Sequence, residues 1–159
     1  MALRVPGEQV VSVPSVLLDT SAWIAFFSPM GHDALKSEVR KALNEERVFT
    51  CVVVRTELLV GARDRAAFKK LDGLLRALPQ APMHDELWSR AAGMGFALRK
   101  KGKSMPLPDL LVAEVCRSQS LELWHLDDHY EAIREQAEFS TRSFLGANTP
   151  ASRGTGRRL

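Results

Sequence analysis

Four acids in this chain sit where metal-assisted chemistry could use them. Asp19 directly follows a short apolar run at 15–18. Glu57 follows a Val- and aromatic-rich run at 47–54, and Asp127 follows another apolar run at 121–126. Asp109 comes after Pro106 and Pro108, at the opening of an apolar-periodic stretch. In an open α/β sheet, ligands bind at the carboxyl ends of the strands, so acids at those ends converge on one crevice. Each acid also has an ordinary explanation. Asp19 is a turn acid, while Glu57 and Asp109 are first-turn acids favoured by a helix dipole. Asp128 with Glu131 three residues later resembles a capping box, which assigns the cap to Asp128 and leaves Asp127 free. Taken together, four carboxylates in one pocket repel each other and raise one another's pKa values. The natural compensation is a hard divalent cation with oxygen ligands, Mg²⁺ or Mn²⁺. Such ions, singly or as a pair, serve displacement at phosphorus.

The elements that must position these acids can be read from periodicity. Strands are expected at 15–18, 47–54 and 121–126, with a last one near Phe139. Thr20 and Ser21 can cap a helix through 23–27, and Thr56 can cap one over 57–63. Further helices are expected over 33–44, 66–78, 85–101, 109–117 and 128–135. In the helix over 66–78, Phe68, Leu71, Leu74, Leu75 and Leu78 are spaced for one face. Pro79 opens a break that has room for a short strand. Alternating strands and helices predict a three-layer α/β/α sandwich around a mostly parallel sheet. The organisation predicted is a lead-in over 1–14, one α/β domain over 15–145, and a basic, disordered tail over 146–159.

Composition limits the function classes. The 159 residues suit one domain with its own core. With 45% apolar and 26% charged residues, the chain has a globular rather than a disordered composition. The longest apolar runs are too short for a membrane span, and no charged start followed by an apolar stretch opens the chain. A soluble, cytoplasmic protein with no membrane partner is expected. The net charge of +3 comes from 22 basic and 19 acidic residues, and Arg153, Arg157 and Arg158 in the tail account for the whole excess. The body is formally neutral, so nucleic acid would have to be held by local charge rather than by a basic domain.

The segments Leu17-Leu18-Asp19-Thr20-Ser21-Ala22-Trp23-Ile24, Arg55-Thr56-Glu57-Leu58-Leu59, Pro106-Leu107-Pro108-Asp109-Leu110-Leu111-Val112-Ala113 and His125-Leu126-Asp127-Asp128-His129-Tyr130 together resemble the PIN-domain family of metal-dependent ribonucleases. The resemblance is greatest to the small toxins of bacterial VapBC toxin–antitoxin pairs and covers about 16–145. It implies a PIN-like fold and an endoribonuclease that uses Mg²⁺ or Mn²⁺. Asp19, Glu57, Asp109 and Asp127 would be its catalytic and metal-binding acids. The family's site-ordering hydroxyl falls on Ser21. The carboxylates would bind metal, water would attack phosphorus, and the products would carry a 5′-phosphate and a 3′-hydroxyl. Glu57 would bind metal directly or through water, or orient the attacking water. An RNA substrate, a cognate VapB-like antitoxin inserted near the active site, and a homodimer follow from the resemblance. One departure is His125, where the family often has threonine or serine, and it bears on the hydrogen bonding around Asp127. The adjacent Asp128 leaves the choice of ligand open.

Other residues invite other readings. His125 and His129 are four apart, but a strand end and a helix start separate them, which argues against a shared zinc site. His32 and His84 read as loop or helix-start residues. Trp23, Trp88 and Trp124 lie in apolar-periodic segments and are expected in the core. Cys51 and Cys116 read as buried thiols. The basic run Arg99, Lys100, Lys101 and Lys103 is either a solvated helix end or a phosphate contact beside the acids. Two other functions fit the residues less well. A haloacid-dehalogenase-like phosphatase needs a second aspartate two residues after the first, where this chain has Ser21. A non-catalytic RNA- or protein-binding module has no use for clustered carboxylates.

Overall fold

The structure, a computed structural model, describes residues 12–146. Most of the expected lead-in and tail, residues 1–11 and 147–159, lies outside them. The elements run β1 (Val16–Leu18), α1 (Thr20–Phe27), α2 (Asp33–Asn44), β2 (Val48–Phe49), α3 (Val52–Val60), α4 (Arg65–Arg76), α5 (Asp85–Lys100), α6 (Leu107–Gln119), β3 (Glu122–His125), α7 (His129–Arg134) and β4 (Thr141–Ser143).

The four strands form one parallel sheet in the order β2-β1-β3-β4. Val16 and Leu17 pair with Val48 and Phe49 on one side and with Glu122 and Leu123 on the other. The chain leaves β1 towards β2 and leaves β3 towards β4, in opposite directions. Right-handed crossovers therefore place α1 and α2 on one face and α7 on the other. Packing agrees, with α1 against α2 and α6 against both α5 and α7. This is the expected α/β architecture. It also creates a topological switch point between β1 and β3, the place where such folds bind ligands.

The central strands are covered on both faces, so β1 and the middle of β3 are apolar on successive residues rather than alternating, with Glu122 and His125 at the two ends of β3. Val16, Leu17, Leu18, Leu123 and Trp124 are all buried. From α6, the contiguous run from Leu110 to Cys116 is buried, including Glu114, whose carboxylate is held by Arg90 and Arg117. Both thiols are buried and free, and burial pushes each above its ordinary pKa.

Three expectations are corrected. The second strand is much shorter than 47–54, because Val52, Val53 and Val54 already belong to α3. Val54 and Leu58, four apart, are the buried residues of that helix, and this burial outweighs the strand preference of a valine run. Thr50 still bridges in parallel to Gln80, which is all that remains of a strand after Pro79. Trp23 and Trp124 are core residues, but Trp88 is 45% exposed. The apolar face of α4 is only partly covered, with Leu75 buried while Phe68 and Leu74 remain exposed.

Candidate metal centre

Asp19 ends β1 and caps α1. Its Oδ1 accepts the Ala22 N–H at 2.9 Å and the Ser21 hydroxyl at 2.7 Å. The cap is therefore Asp19 itself, not Thr20 or Ser21, which lie inside the helix. Asp19 is 4% exposed. Burial is the main cause that pushes its carboxyl up to about 6; the two hydrogen bonds oppose the shift and the Asp127 charge adds to it.

Ser21 joins the two central strands. While its hydroxyl donates to Asp19, its oxygen accepts the Leu126 N–H at 2.9 Å. The residue therefore holds the end of β1 against the end of β3. Ser21→Ala removes both bonds and is expected to cost about 1–3 kcal/mol in urea unfolding. It should also raise the Asp19 carboxyl further, because the Ser21 bond lowers it.

Glu57 lies in the second turn of α3, not in a first turn capped by Thr56. The Thr56 hydroxyl instead donates back to Val52 O. Glu57 is exposed, and its Oε2 accepts the Thr20 hydroxyl at 2.5 Å, beside Asp19 in sequence. Asp109 lies in the first turn of α6 and is half-buried. Burial raises its carboxyl first, a hydrogen bond with His129 lowers it, and the charges of Asp127 and Glu57 raise it again.

Asp127 follows β3. The expected capping box at Asp128 is absent, since Asp128 has helical backbone angles and makes no side-chain cap bond. Asp127 takes that place, its Oδ1 accepting the His129 N–H at 2.9 Å. Asp127 is thus not free of a local structural role. It nevertheless faces the other acids, while Asp128 is exposed. At the departure from the family pattern, His125 Nδ1 accepts the Asp127 N–H at 3.3 Å. The His125 ring is fully buried against Tyr130, and burial lowers its pKa.

The fold therefore brings all four acids to one place. Sequence reasoning missed His129. Its Nδ1 lies 2.7 Å from Asp109 Oδ2 and 3.3 Å from Asp127 Oδ1. Its position at the helix start, two residues after Asp127, is the local signal for it, and its pairing with Asp109 is set by long-range packing. Among the described residues, no Lys or Arg forms an ion pair with Asp19, Glu57, Asp109 or Asp127. Donor atoms of Asp109, Asp127 and His129 lie within 4.8 Å of one another. A donor set rich in carboxylate oxygens, with His129 as its one nitrogen and no lysine or arginine paired to it among the described residues, fits a divalent cation. The basic run is occupied in part elsewhere. Lys101 donates to Gln136, Lys103 pairs with Glu135, and Lys100 lies over the Phe96 ring.

A parallel α/β sheet with converging acids at its switch point defines a class of proteins that set an acidic ligand crevice at the carboxyl ends of the strands. Within that class the chain belongs to the PIN domain family, which it matches over residues 16–136. It is 32% identical over 133 residues to Ribonuclease VapC11 of Mycobacterium tuberculosis, covering 81% of this chain and 98% of that protein. Among solved structures it resembles VapBC2 of Rickettsia felis bound to a promoter DNA fragment. That match has a TM-score of 0.66 and 16% identity, over 81% of this chain and 98% of the other. VapBC-1 of nontypeable Haemophilus influenzae aligns with TM-score 0.66 and 16% identity, covering 80% and 96%.

Proposed function

We propose that this chain is a divalent-metal-dependent endoribonuclease and the toxin of a VapBC-type toxin–antitoxin pair. The observation that carries the reading is the convergence of Asp19, Glu57, Asp109 and Asp127 in a PIN domain, with no lysine or arginine paired to them among the described residues. The 32% identity to a protein named as a ribonuclease supports the substrate class. Asp19, Asp109 and Asp127 would hold Mg²⁺ or Mn²⁺, which when bound supplies Lewis-acid activation of the phosphodiester and of water. Asp19 is the rigid member, since Ser21 and Ala22 hold its carboxylate in one orientation. Glu57 is the exposed member, at the rim, placed to orient water or accept its proton. Ser21 orders the site by joining the ends of the two central strands.

The partner reading rests on VapBC complexes among the structural relatives. It is supported by an apolar groove of about 280 Å³ lined by Phe27, Ala62, Ala67, Leu71 and Leu74, between the end of α1 and the uncovered face of α4. An antitoxin segment would cover that face. A homodimer belongs to the same reading and rests on the family resemblance. Among the described residues, no helix is long and apolar enough to cross a membrane; a cytoplasmic location is part of the proposal.

The test is cleavage of a mixed RNA pool by purified, partner-free protein, with added Mg²⁺ or Mn²⁺, with excess EDTA, and with Asp109→Asn. Metal-dependent cleavage that disappears in EDTA and in the variant is expected. Cleavage that persists in either would overturn the assignment of the site.

A further inference from the structure

His129 is a half-exposed imidazole between two carboxylates, and burial does not hold it there. Its side chain is 42% exposed. Its Nδ1 approaches one oxygen from α6 and one from the segment after β3, at 2.7 and 3.3 Å. Asp127 Oδ1 already accepts the His129 backbone N–H at 2.9 Å, so the ring is not needed to satisfy that oxygen. A single Nδ1–H can point straight at only one of the two carboxylates. A lone pair on Nδ1, with the proton on Nε2, would instead face the space shared with both. Donors on adjacent corners of an octahedron with bonds near 2.1 Å are about 3 Å apart. The two observed separations bracket that edge.

We infer that His129 is a nitrogen ligand of the cation held by Asp109 and Asp127, and that it turns the preference of the site from Mg²⁺ towards Mn²⁺. The inference rests on the metal-centre reading above and deepens it. The chemistry follows from donor type. Mg²⁺ favours oxygen ligands and keeps its waters, whereas Mn²⁺, which shares that liking for carboxylates, is a transition ion and accepts a nitrogen donor at less cost than Mg²⁺ does. A site of carboxylates alone would discriminate less between Mg²⁺ and Mn²⁺ than one that adds an imidazole. A histidine that merely oriented Asp109 from outside would behave differently. Its removal would weaken every metal alike, by about 10–100-fold for an outer-shell partner.

The experiment uses the full chain, free of partner, with His129→Ala and the more conservative His129→Gln. Thermal melts first establish that both variants fold. Calorimetric titrations with Mg²⁺ alone and Mn²⁺ alone give the two affinities, and pulsed electron paramagnetic resonance of bound Mn²⁺ reads any ¹⁴N coupling. The expected result is a ¹⁴N coupling in the parent chain that both variants lose. The Mn²⁺-over-Mg²⁺ affinity ratio should fall about tenfold with it. A parent chain that binds Mn²⁺ with no ¹⁴N coupling, and variants that weaken both metals equally, overturn the inference but leave the metal centre standing. A folded parent chain that binds neither ion overturns the metal-centre reading and this inference with it.

Discussion

Asp19→Asn is expected to abolish RNA cleavage and, in the same protein, to raise its stability when no metal is present. The loss of activity follows from the position of Asp19 as the buried, rigid acid of the proposed site. Removing a partner outside the metal's ligand shell already costs about 10–100-fold, so losing a charged ligand should cost more. The gain in stability follows from the carboxyl itself, which burial pushes up to about 6 from an ordinary value of 3.8. A raised acid pKa means the folded state holds the proton more tightly than the unfolded state. The ionised form is therefore a penalty on folding, absent below the unfolded value, growing through the window between the two values, and full above the folded one. At neutral pH the penalty is about 2–3 kcal/mol. Asparagine cannot ionise, remains a good helix cap, and its carbonyl oxygen can still accept from Ser21 and Ala22. In EDTA at pH 7.5, Asp19→Asn should unfold at higher urea than the parent, by about 2 kcal/mol. The gap should close as pH falls towards 4. A variant that is less stable than the parent at both pH values would show that Asp19 supports the fold rather than burdening it.

Trp124→Ala is expected to be the most destabilising of the changes considered. Trp124 is 2% exposed in the central strand β3. Its indole packs edge-on against Phe144 at 5.5 Å, has the Arg142 guanidinium 5.4 Å above it, and donates Nε1–H to Glu122 at 2.7 Å. Truncation opens a cavity beneath β4 and should cost about 3–5 kcal/mol. For a chain of this size that lowers Tm by about 10 °C. Trp124→Phe keeps a ring and should lose about half as much. The effect reaches the site, because Trp124 O accepts the Asp19 N–H at 3.1 Å and the same strand leads into Asp127. Cleavage activity should therefore fall with temperature in step with the melting curve. A Tm within a degree or two of the parent would mean that the Trp124 contacts contribute little.

Much of the site was legible because its acids stand next to strand ends, and strand ends are marked by where an apolar run stops. Asp19 after Leu18 and Asp127 after Leu126 are visible in this way, and Asp109 is marked by the prolines before it. The local role of each acid was less legible. Capping depends on backbone angles one residue at a time, and Asp128, with its helical φ and ψ, could not take the role its spacing suggested. The valines at 52–54 read as strand because β-branched residues favour strands. They form helix because α3 buries Val54 and Leu58 together.

By itself the sequence determined the alternation of strands and helices, the apolar runs that form the middle of the two central strands, and the presence of three acids, Asp19, Asp109 and Asp127, at element ends. These are local properties, set by periodicity, composition and where apolar runs stop. Only the tertiary structure decided that β1 and β3 are neighbours although Val16 and Glu122 are more than a hundred residues apart in the chain. That pairing creates the switch point, seats Ser21 between Asp19 and Leu126, and draws His129 against Asp109. Long-range pairing is chosen by the burial of whole elements against one another, and no spacing within a single segment encodes it.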